Sequence, residues 1–183
     1  MVTERGGVPA AGRFAAVDVG YPAEGGARAA LVVCGEPAYA QVRQERVVEL
    51  AQVADYRPGA FYERELPAVL AVLDGIEPMD LVVVDGYVHL DPDGRPGLGA
   101  HVHAALGVPV IGVAKTAFRS ATHAVPVLRG SATRPLLVTA AGLADATAAT
   151  LVRAMAGPYR LPDALRHVDS LTRRALLPPL PLS

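Results

Sequence analysis

The sequence predicts an α/β domain in which a mixed β-sheet, made of an antiparallel hairpin and parallel strands, is flanked by helices. Near the N-terminus, two apolar runs are separated by a turn-rich stretch, a pattern typical of a hairpin. Farther along, apolar runs alternate with helix-like segments, as in parallel strands joined by helices. With 183 residues, 51% of them hydrophobic, the chain can bury a substantial core. We therefore predict one domain over residues 13–177, with a flexible leader at 1–12 and a proline-rich tail at 178–183.

The first part of the chain is expected to form three strands and a helix. Residues 14–19 (FAAVDV) and 29–34 flank the turn-rich GYPAEGGA and should pair as a hairpin. Residues 39–53 are compatible with a helix or a strand, and their position after a hairpin favours a third strand. Residues 57–59 (RPG) mark a turn, because proline fixes its own φ and restricts the preceding residue. Apolar residues at helical spacing from 61 to 73 then predict a helix.

The second part contains the stretch on which the functional prediction depends. A buried strand at 81–84 ends on Asp85, and after a helix at 99–106 a second buried strand at 108–113 leads to Lys115. Parallel strands bring such side chains to the same edge of a sheet, where α/β proteins build their sites. Further elements are expected as a strand at 136–139, a helix at 143–155 and a helix around 163–176.

The charged residues are unevenly distributed. Residues 1–114 carry 8 Lys and Arg against 15 Asp and Glu, whereas residues 115–183 carry 9 against 3. This division suits a protein that gathers cations at one place and phosphates at another, although such splits also arise by chance. Of the 17 basic residues 16 are arginine, so Lys115 is the only position with a compact ammonium group.

Membrane and secreted classes are disfavoured. No segment approaches the roughly 18 consecutive apolar residues of a membrane span, and the N-terminal MVTERGGVPAAGRF lacks the pattern of a secretory signal. The single cysteine, Cys34, cannot form an internal disulfide. We therefore expect a cytoplasmic protein.

Four carboxylates are candidates for one site: Asp18, Glu65, Asp85 and Asp169. Clustered acids repel one another at pH 7 unless divalent cations neutralise them, and Mg²⁺ prefers carboxylate oxygens. Such clusters catalyse phosphoryl transfer. Alternatively, Asp18 is a polar residue beside a turn, and Glu65 only interacts with a helix dipole. The sequence has no Walker A loop, HExxH, paired CxxC or GxSxG motif.

From about residue 14 to residue 177, the chain resembles the endonuclease V family, the deoxyinosine 3′-endonucleases of the ribonuclease H-like superfamily. The motifs that carry this resemblance are VDVGY (17–21), YRPG followed by RELP (56–67), DLVVVDG (80–86), GLGAH (97–101), PVIGVAKT (109–116) and YRLPDALRHVD (159–169). Each is weak alone, but their order and the spacing from Tyr56 to Glu65 match the family. The resemblance implies a ribonuclease H-like sheet.

The resemblance also implies roles for the clustered residues. Asp18 and Asp85 match the strand-borne metal ligands, and Glu65 matches the helix-borne ligand. Asp169 falls where members carry an Asp or His that completes the cluster. Lys115 matches a lysine that positions the attacking water or offsets charge on the phosphate. Mg²⁺ is the implied cofactor, and Mn²⁺ is expected to substitute.

A second group of residues is implied to contact nucleic acid. Tyr56, Arg57, Pro58 and Gly59 match the wedge that separates strands at a lesion, where an aromatic ring can occupy a vacated stack. The hypoxanthine edge would be read largely by backbone groups at Gly59, Gly86 and the 94–99 loop. The alternative for Tyr56 is a tyrosine of the core.

The implied reaction is hydrolysis of the second phosphodiester bond 3′ to a deaminated adenine, leaving 3′-hydroxyl and 5′-phosphate ends, in DNA repair. The partner would be inosine-containing DNA, possibly RNA, and the protein is expected to be a monomer. Three alternatives stay open: a family member specific for RNA inosine or structured single strands, a catalytically idle nucleic-acid-binding relative, and a small-molecule phosphoesterase on the same scaffold.

Four departures from the family pattern affect these expectations. Gly20 stands where most members have serine. The loop YVHLDPDGRPGLG has Asp91 before Pro92 where a His-Pro pair is usual, so His89 is not assigned that histidine's role. The N-terminal helical segment of many members is not expected, and the strand after Lys115 reads LVTAAG instead of a VGH-type ending. We expect the metal cluster to be kept and the lesion-reading surfaces to be altered.

Overall fold

A computed structural model describes residues 7–58 and 60–174. Over these residues the chain forms a seven-stranded sheet with four helices. The elements are β1 (Phe14–Gly20), β2 (Ala27–Cys34), β3 (Val42–Leu50), α1 (Tyr62–Leu73), β4 (Leu81–Asp85), α2 (Leu98–Leu106), β5 (Val110–Ala114), β6 (Val125–Val127), β7 (Leu136–Ala141), α3 (Asp145–Ala154) and α4 (Asp163–Arg173).

The sheet is mixed, with strand order β3-β2-β1-β4-β5-β7-β6. The strands β1, β2 and β3 are joined antiparallel, so the predicted hairpin and third strand are confirmed. At the centre, β1, β4 and β5 run parallel, as the alternation of strands and helices predicts. The short strand β6 was not predicted, because Pro126 lies at its centre and three residues give no readable alternation.

Helices cover both faces of the sheet. One face packs α3 and α4 against residues such as Ala16, Val83 and Ile111. The other packs α1 and α2 against Val17 and Val82. Successive residues of a strand point to opposite faces, so neighbours in sequence belong to different halves of the core. This arrangement confirms the predicted fold class.

This alternation fixes where the strand-borne candidates point. Phe14 and Ala16 of β1 face α3 and α4, so Asp18, two residues on, continues the same row. Leu81 and Val83 lead in the same way to Asp85, and Ile111 and Val113 lead to Lys115. The central parallel strands therefore present two acids and one base to one face at one end of the sheet.

In the described part of the leader, Val8 packs against the core, and the Gly12 amide donates to the carbonyl of Gly35 at 3.0 Å. The proline-rich tail at 178–183 lies outside the described residues. In the part of the chain that the structure describes, no helix is long and apolar enough to cross a membrane. The monomeric state and the cytoplasmic location stay predictions.

Candidate active site

Three of the four candidate carboxylates line one pocket of about 550 Å³ at the carboxyl end of β1 and β4. Asp18 lies inside β1 rather than in a turn, Asp85 is the last residue of β4, and Asp169 comes from α4. The strands pair Val17 with Val84, so Asp18 and Asp85 leave adjacent strands at the same level. Residues far apart in the sequence thus converge at the predicted edge.

The only lysine is paired with one of these acids. The Lys115 Nζ lies 2.6 Å from Asp85 Oδ2, and the two side chains are 38% and 32% exposed. Burial lowers the pKa of Lys115, but the hydrogen bond to Asp85 and the charges of Asp85, Asp18 and Asp169 outweigh it and raise the pKa overall. Lys115 therefore stays protonated and supplies a fixed positive charge beside the acids.

The pKa values of Asp18 and Glu65 are both raised. Burial, followed by the charge of Asp85, raises the pKa of Asp18 to about 7, although its Oδ1 accepts a hydrogen bond from the Val19 amide at 2.8 Å. Burial and the charges of Asp18 and Asp85 raise the pKa of Glu65 to about 8. The alternative interpretation of Glu65, an interaction with the helix dipole alone, requires a position in the first turn of α1, and Glu65 does lie there. Glu65 is nevertheless only 9% exposed and interacts with Asp18 and Asp85.

Asp169 is held by its own helix. Its carboxylate pairs with Arg173 one turn later, with Nη2 at 2.9 Å from Oδ2 and 3.1 Å from Oδ1. The Arg173 side chain is 76% exposed, so it can leave this pair at low cost. We call Asp18, Glu65, Asp85 and Asp169 the acidic cluster.

The donor chemistry of the acidic cluster fits a hard divalent cation. Its candidate donor atoms are all carboxylate oxygens, which Mg²⁺ prefers, and a bound cation would offset the mutual repulsion that helps to raise the pKa values of Asp18 and Glu65. Among the described residues no three Asp, Glu, His or Cys side chains converge closely enough to hold a metal ion as they stand. Two of the carboxylates are paired instead with Lys115 and Arg173.

The raised pKa values predict a pH-dependent stability cost. Asp18 binds its proton more tightly in the folded protein, so stability is lost as pH rises from the unfolded value of 3.8 through about 7. In metal-free buffer, Asp18→Asn should raise Tm at pH 8 by a few degrees, since 1 kcal/mol shifts Tm by roughly 2–4 °C at this size. At pH 5, the rise in Tm, measured by thermal unfolding, should be much smaller.

The matched control for this measurement is Asp93→Asn, because Asp93 is exposed in the loop before α2. That variant should leave Tm unchanged at both pH values. A gain from Asp18→Asn that is equal at pH 5 and pH 8 would contradict an origin in the buried charge.

An aromatic pocket of about 380 Å³ adjoins the acidic cluster and shares Glu65 and Asp85 with it. Its remaining lining residues are Tyr56, Phe61, Tyr62, Gly86, Tyr87, Leu90, Gly97, Leu98 and Phe118. Tyr62 stacks on His101 with ring centroids 3.7 Å apart and an angle of 19° between the planes. We call this the aromatic pocket.

Most of these aromatic residues were missed by sequence reasoning. Phe61 and Tyr62 are at the start of α1, where a pattern of apolar residues indicates core packing. Tyr87 lies two residues after β4, and Phe118 lies four residues after β5. Their position after the carboxyl ends of these strands was the only sequence feature that could have indicated a role in the site. That signal locates a site but does not say which apolar side chains face it.

The proposed wedge segment lies at the mouth of the aromatic pocket. Tyr56 is 62% exposed and meets Phe61 edge to face at 6.2 Å, so the alternative of a core tyrosine is wrong. The Arg57 side chain is 73% exposed and lies 3.9 Å from Glu63. Pro58 is in the expected turn, and Gly59 lies outside the described residues.

Two glycines of the predicted lesion-reading loops, Gly86 and Gly97, line the aromatic pocket. Gly86 has φ 129°, in the region that favours glycine, and its amide donates to the Val113 carbonyl at 3.0 Å. The unusual 89–99 loop is folded on itself, since the Leu90 amide donates to the Arg95 carbonyl at 2.8 Å. Both segments therefore form fixed backbone beside the pocket.

The fold and this site define a class of protein. A mixed sheet whose central parallel strands carry acids at their carboxyl ends, with helices on both faces, is the ribonuclease H-like fold. The crystal structure of endonuclease V from Streptomyces avermitilis shares it, with a TM-score of 0.78 and 32% identity over 94% of this chain and 85% of that chain. Human ENDOV gives a TM-score of 0.73 at 24% identity, over 90% and 85% of the two chains.

Sequence comparison gives the family. The endonuclease V family model matches residues 2–144. Endonuclease V of Streptomyces avermitilis is 35% identical over 96% of this chain and 86% of that protein, and the Thermococcus kodakarensis enzyme is 35% identical over 86% and 76%. The chain belongs to the endonuclease V family and is a nuclease of that family. Asp169 lies beyond the range of the family model, so its place in the pocket with Asp18 and Asp85 is a separate observation.

Proposed function

We propose that this nuclease is a Mg²⁺-dependent endodeoxyribonuclease that acts in DNA repair on strands containing deoxyinosine. It would hydrolyse the second phosphodiester bond 3′ to the deoxyinosine and leave 3′-hydroxyl and 5′-phosphate ends. The observation that carries the proposal is that the acidic cluster and the aromatic pocket share Glu65 and Asp85. A base held in the pocket would therefore have its own backbone beside the acids.

The acidic cluster supplies the ligands for the cation. Asp18, Glu65, Asp85 and Asp169 would hold Mg²⁺, and Mn²⁺ has the same preference for oxygen ligands. A bound divalent cation lowers the pKa of water and stabilises the oxygens that attack and leave in an in-line displacement. The raised pKa values of Asp18 and Glu65 mean that these carboxylates bind protons near neutral pH, so protons and the cation would compete for them.

Lys115 supplies positive charge beside Asp85. Its ammonium group is a three-donor point charge, and it is already fixed at 2.6 Å from Asp85. From this position it can orient the attacking water or hold a phosphate oxygen while negative charge develops there. Electrostatic groups fixed before the reaction are effective because they need no reorganisation during it.

The aromatic pocket has the composition of a site for a flat base. Rings of Tyr62, Tyr87 and Phe118 line it, and aromatic rings bind bases by stacking. A base inside a duplex cannot reach such a pocket unless it leaves the stack. Tyr56, which is exposed and also lines the pocket, would fill the vacated position.

A structure from a relative supports the choice of substrate. Ciona intestinalis endonuclease V, which matches this fold with a TM-score of 0.75 at 18% identity over 88% of this chain and 83% of that chain, was crystallised with a 23mer DNA containing an inosine followed by a ribo-adenosine. At that identity the likeness shows the fold alone, so the substrate of this chain is our proposal.

The proposal is tested with end-labelled strands of one sequence that differ at a single position. With Mg²⁺, DNA carrying deoxyinosine should be cut at the second bond on its 3′ side, and the matched deoxyadenosine strand should stay intact. An RNA strand with inosine tests the alternative substrate. If the protein cuts this RNA in preference to the deoxyinosine DNA, its substrate is RNA. If folded protein cuts none of the inosine strands, the proposed function is wrong.

A further inference from the structure

The loop that follows Asp85 is anchored on both sides of Tyr87. The Gly86 amide donates to the carbonyl of Val113 at 3.0 Å, and the buried Val88 amide donates to Thr139 Oγ1 at 2.8 Å. Gly112 allows this close approach, because a Cβ there would lie 2.6 Å from the Gly86 carbonyl oxygen. The backbone of Tyr87 is therefore fixed to the sheet.

The segment that follows Lys115 is exposed. Residues 115–119 are all exposed, whereas β5 before them is buried throughout. Tyr87 reaches this segment with its hydroxyl, which donates to the Thr116 carbonyl at 2.9 Å and accepts from the Phe118 amide at 3.0 Å.

The two hydrogen bonds connect the two halves of the proposed site. On one side of them is Lys115, whose ammonium lies on Asp85, and on the other is Phe118, which lines the aromatic pocket beside the Tyr87 ring. The rings of Tyr87 and Phe118 are 6.2 Å apart at an angle of 50°. Arg160 also binds this segment, with its Nη2 2.5 Å from the Lys115 carbonyl oxygen.

We propose that Tyr87 is a positioning residue whose hydroxyl holds the segment from Lys115 to Phe118 against the loop after Asp85. This inference rests on the proposed function, because it names the group that keeps Lys115 aligned for cleavage. The Tyr87 ring lines the aromatic pocket, whereas its hydroxyl binds the segment that follows Lys115. Removing the oxygen alone therefore separates the two roles.

The test is the Tyr87→Phe variant, which keeps the ring and removes both hydrogen bonds. The single-turnover rate on the deoxyinosine strand should fall about tenfold, since small displacements of a catalytic group cost rate steeply. Affinity for the uncut strand, measured in EDTA, should stay close to that of the wild type because the pocket lining is unchanged. The same substitution made in Lys115→Ala protein should cause no further slowing, since Tyr87 acts through Lys115.

The control is Tyr39→Phe, which also removes a tyrosine hydroxyl from a carbonyl. The buried Tyr39 hydroxyl donates to the Ala15 carbonyl at 3.1 Å, and Tyr39 lines neither the pocket of Asp18, Asp85 and Asp169 nor the aromatic pocket. This variant should unfold at lower temperature and keep the wild-type cleavage rate. The proposal is overturned if Tyr87→Phe cleaves at the wild-type rate, or if this substitution slows the Lys115→Ala protein as much as it slows the wild type.

A second measurement does not depend on activity. Since Lys115 is the only lysine, protein labelled with ¹⁵N-lysine gives a single amide cross-peak from this residue. Tyr87→Phe should move that peak beyond its linewidth, and Tyr39→Phe should leave it in place. An unmoved peak in Tyr87→Phe overturns the positioning role, whereas a moved peak in a protein that cuts no inosine strand supports that role and refutes only the proposed function.

Discussion

The Asp85→Asn variant should lose cleavage of the deoxyinosine strand by at least about three orders of magnitude. Asp85 belongs to both the acidic cluster and the aromatic pocket, and it holds Lys115. The substitution keeps the shape of the side chain and removes its charge, so it affects both the cation and the ammonium group. Removing a single preorganised electrostatic group already costs about 10²–10³ in rate. Single-turnover cleavage with Mg²⁺ is the measurement.

The matched control is Asp80→Asn, because Asp80 lies just before the same strand, at its opposite end. Asp80 Oδ2 accepts a hydrogen bond from the Arg13 amide at 2.8 Å. The control variant therefore loses a carboxylate charge and weakens one structural hydrogen bond, but it changes no residue of the acidic cluster or the aromatic pocket. It should cleave at the wild-type rate. Thermal unfolding of both variants confirms folding, and Asp85→Asn cleaving at more than a tenth of the wild-type rate would remove Asp85 from the centre of the mechanism.

The second large effect is expected from Lys115→Ala, which should slow cleavage by about one order of magnitude or more. The ammonium group offsets charge only where phosphate and water meet the acids, so the loss should be in kcat rather than in KM. The variant also leaves Asp85 without its partner at 2.6 Å. Steady-state kinetics on the deoxyinosine strand separates the two parameters.

Arg119→Ala is the control for Lys115→Ala, because it removes another exposed cation four residues away. Any nonspecific loss of attraction to DNA should affect both variants, mainly through KM, and should diminish with added salt. A kcat for Lys115→Ala equal to that of the wild type would show that Lys115 has no part in the chemistry.

The strand-borne part of the site could be predicted from sequence because a β-strand has a fixed period. Asp18, Asp85 and Lys115 each follow a buried apolar run, and alternation along three parallel neighbours sends them to one face. The same regularity predicted the hairpin and the central strands. Such residues can be predicted because the alternation of each strand sets the face of the sheet to which it leads.

The aromatic pocket could not be predicted in the same way. Tyr62 and Phe118 are apolar residues near element ends, and sequence cannot distinguish packing in the core from lining a pocket. The pairing of Asp169 with Arg173 was also unforeseen, although the spacing of four residues on a helix allows it. The sequence also did not predict the conformation of the 89–99 loop, in which His89 and Pro96 form an antiparallel β-bridge.

Divalent-cation-dependent cleavage beside deoxyinosine by the acidic cluster is tested most directly by mapping the cut in an end-labelled strand with one deoxyinosine, in Mg²⁺ and in EDTA. We expect one cut in Mg²⁺, at the second phosphodiester bond 3′ to the deoxyinosine, and none in EDTA. Cleavage that continues in EDTA, or that is equally strong in the deoxyadenosine strand, would contradict the proposed function.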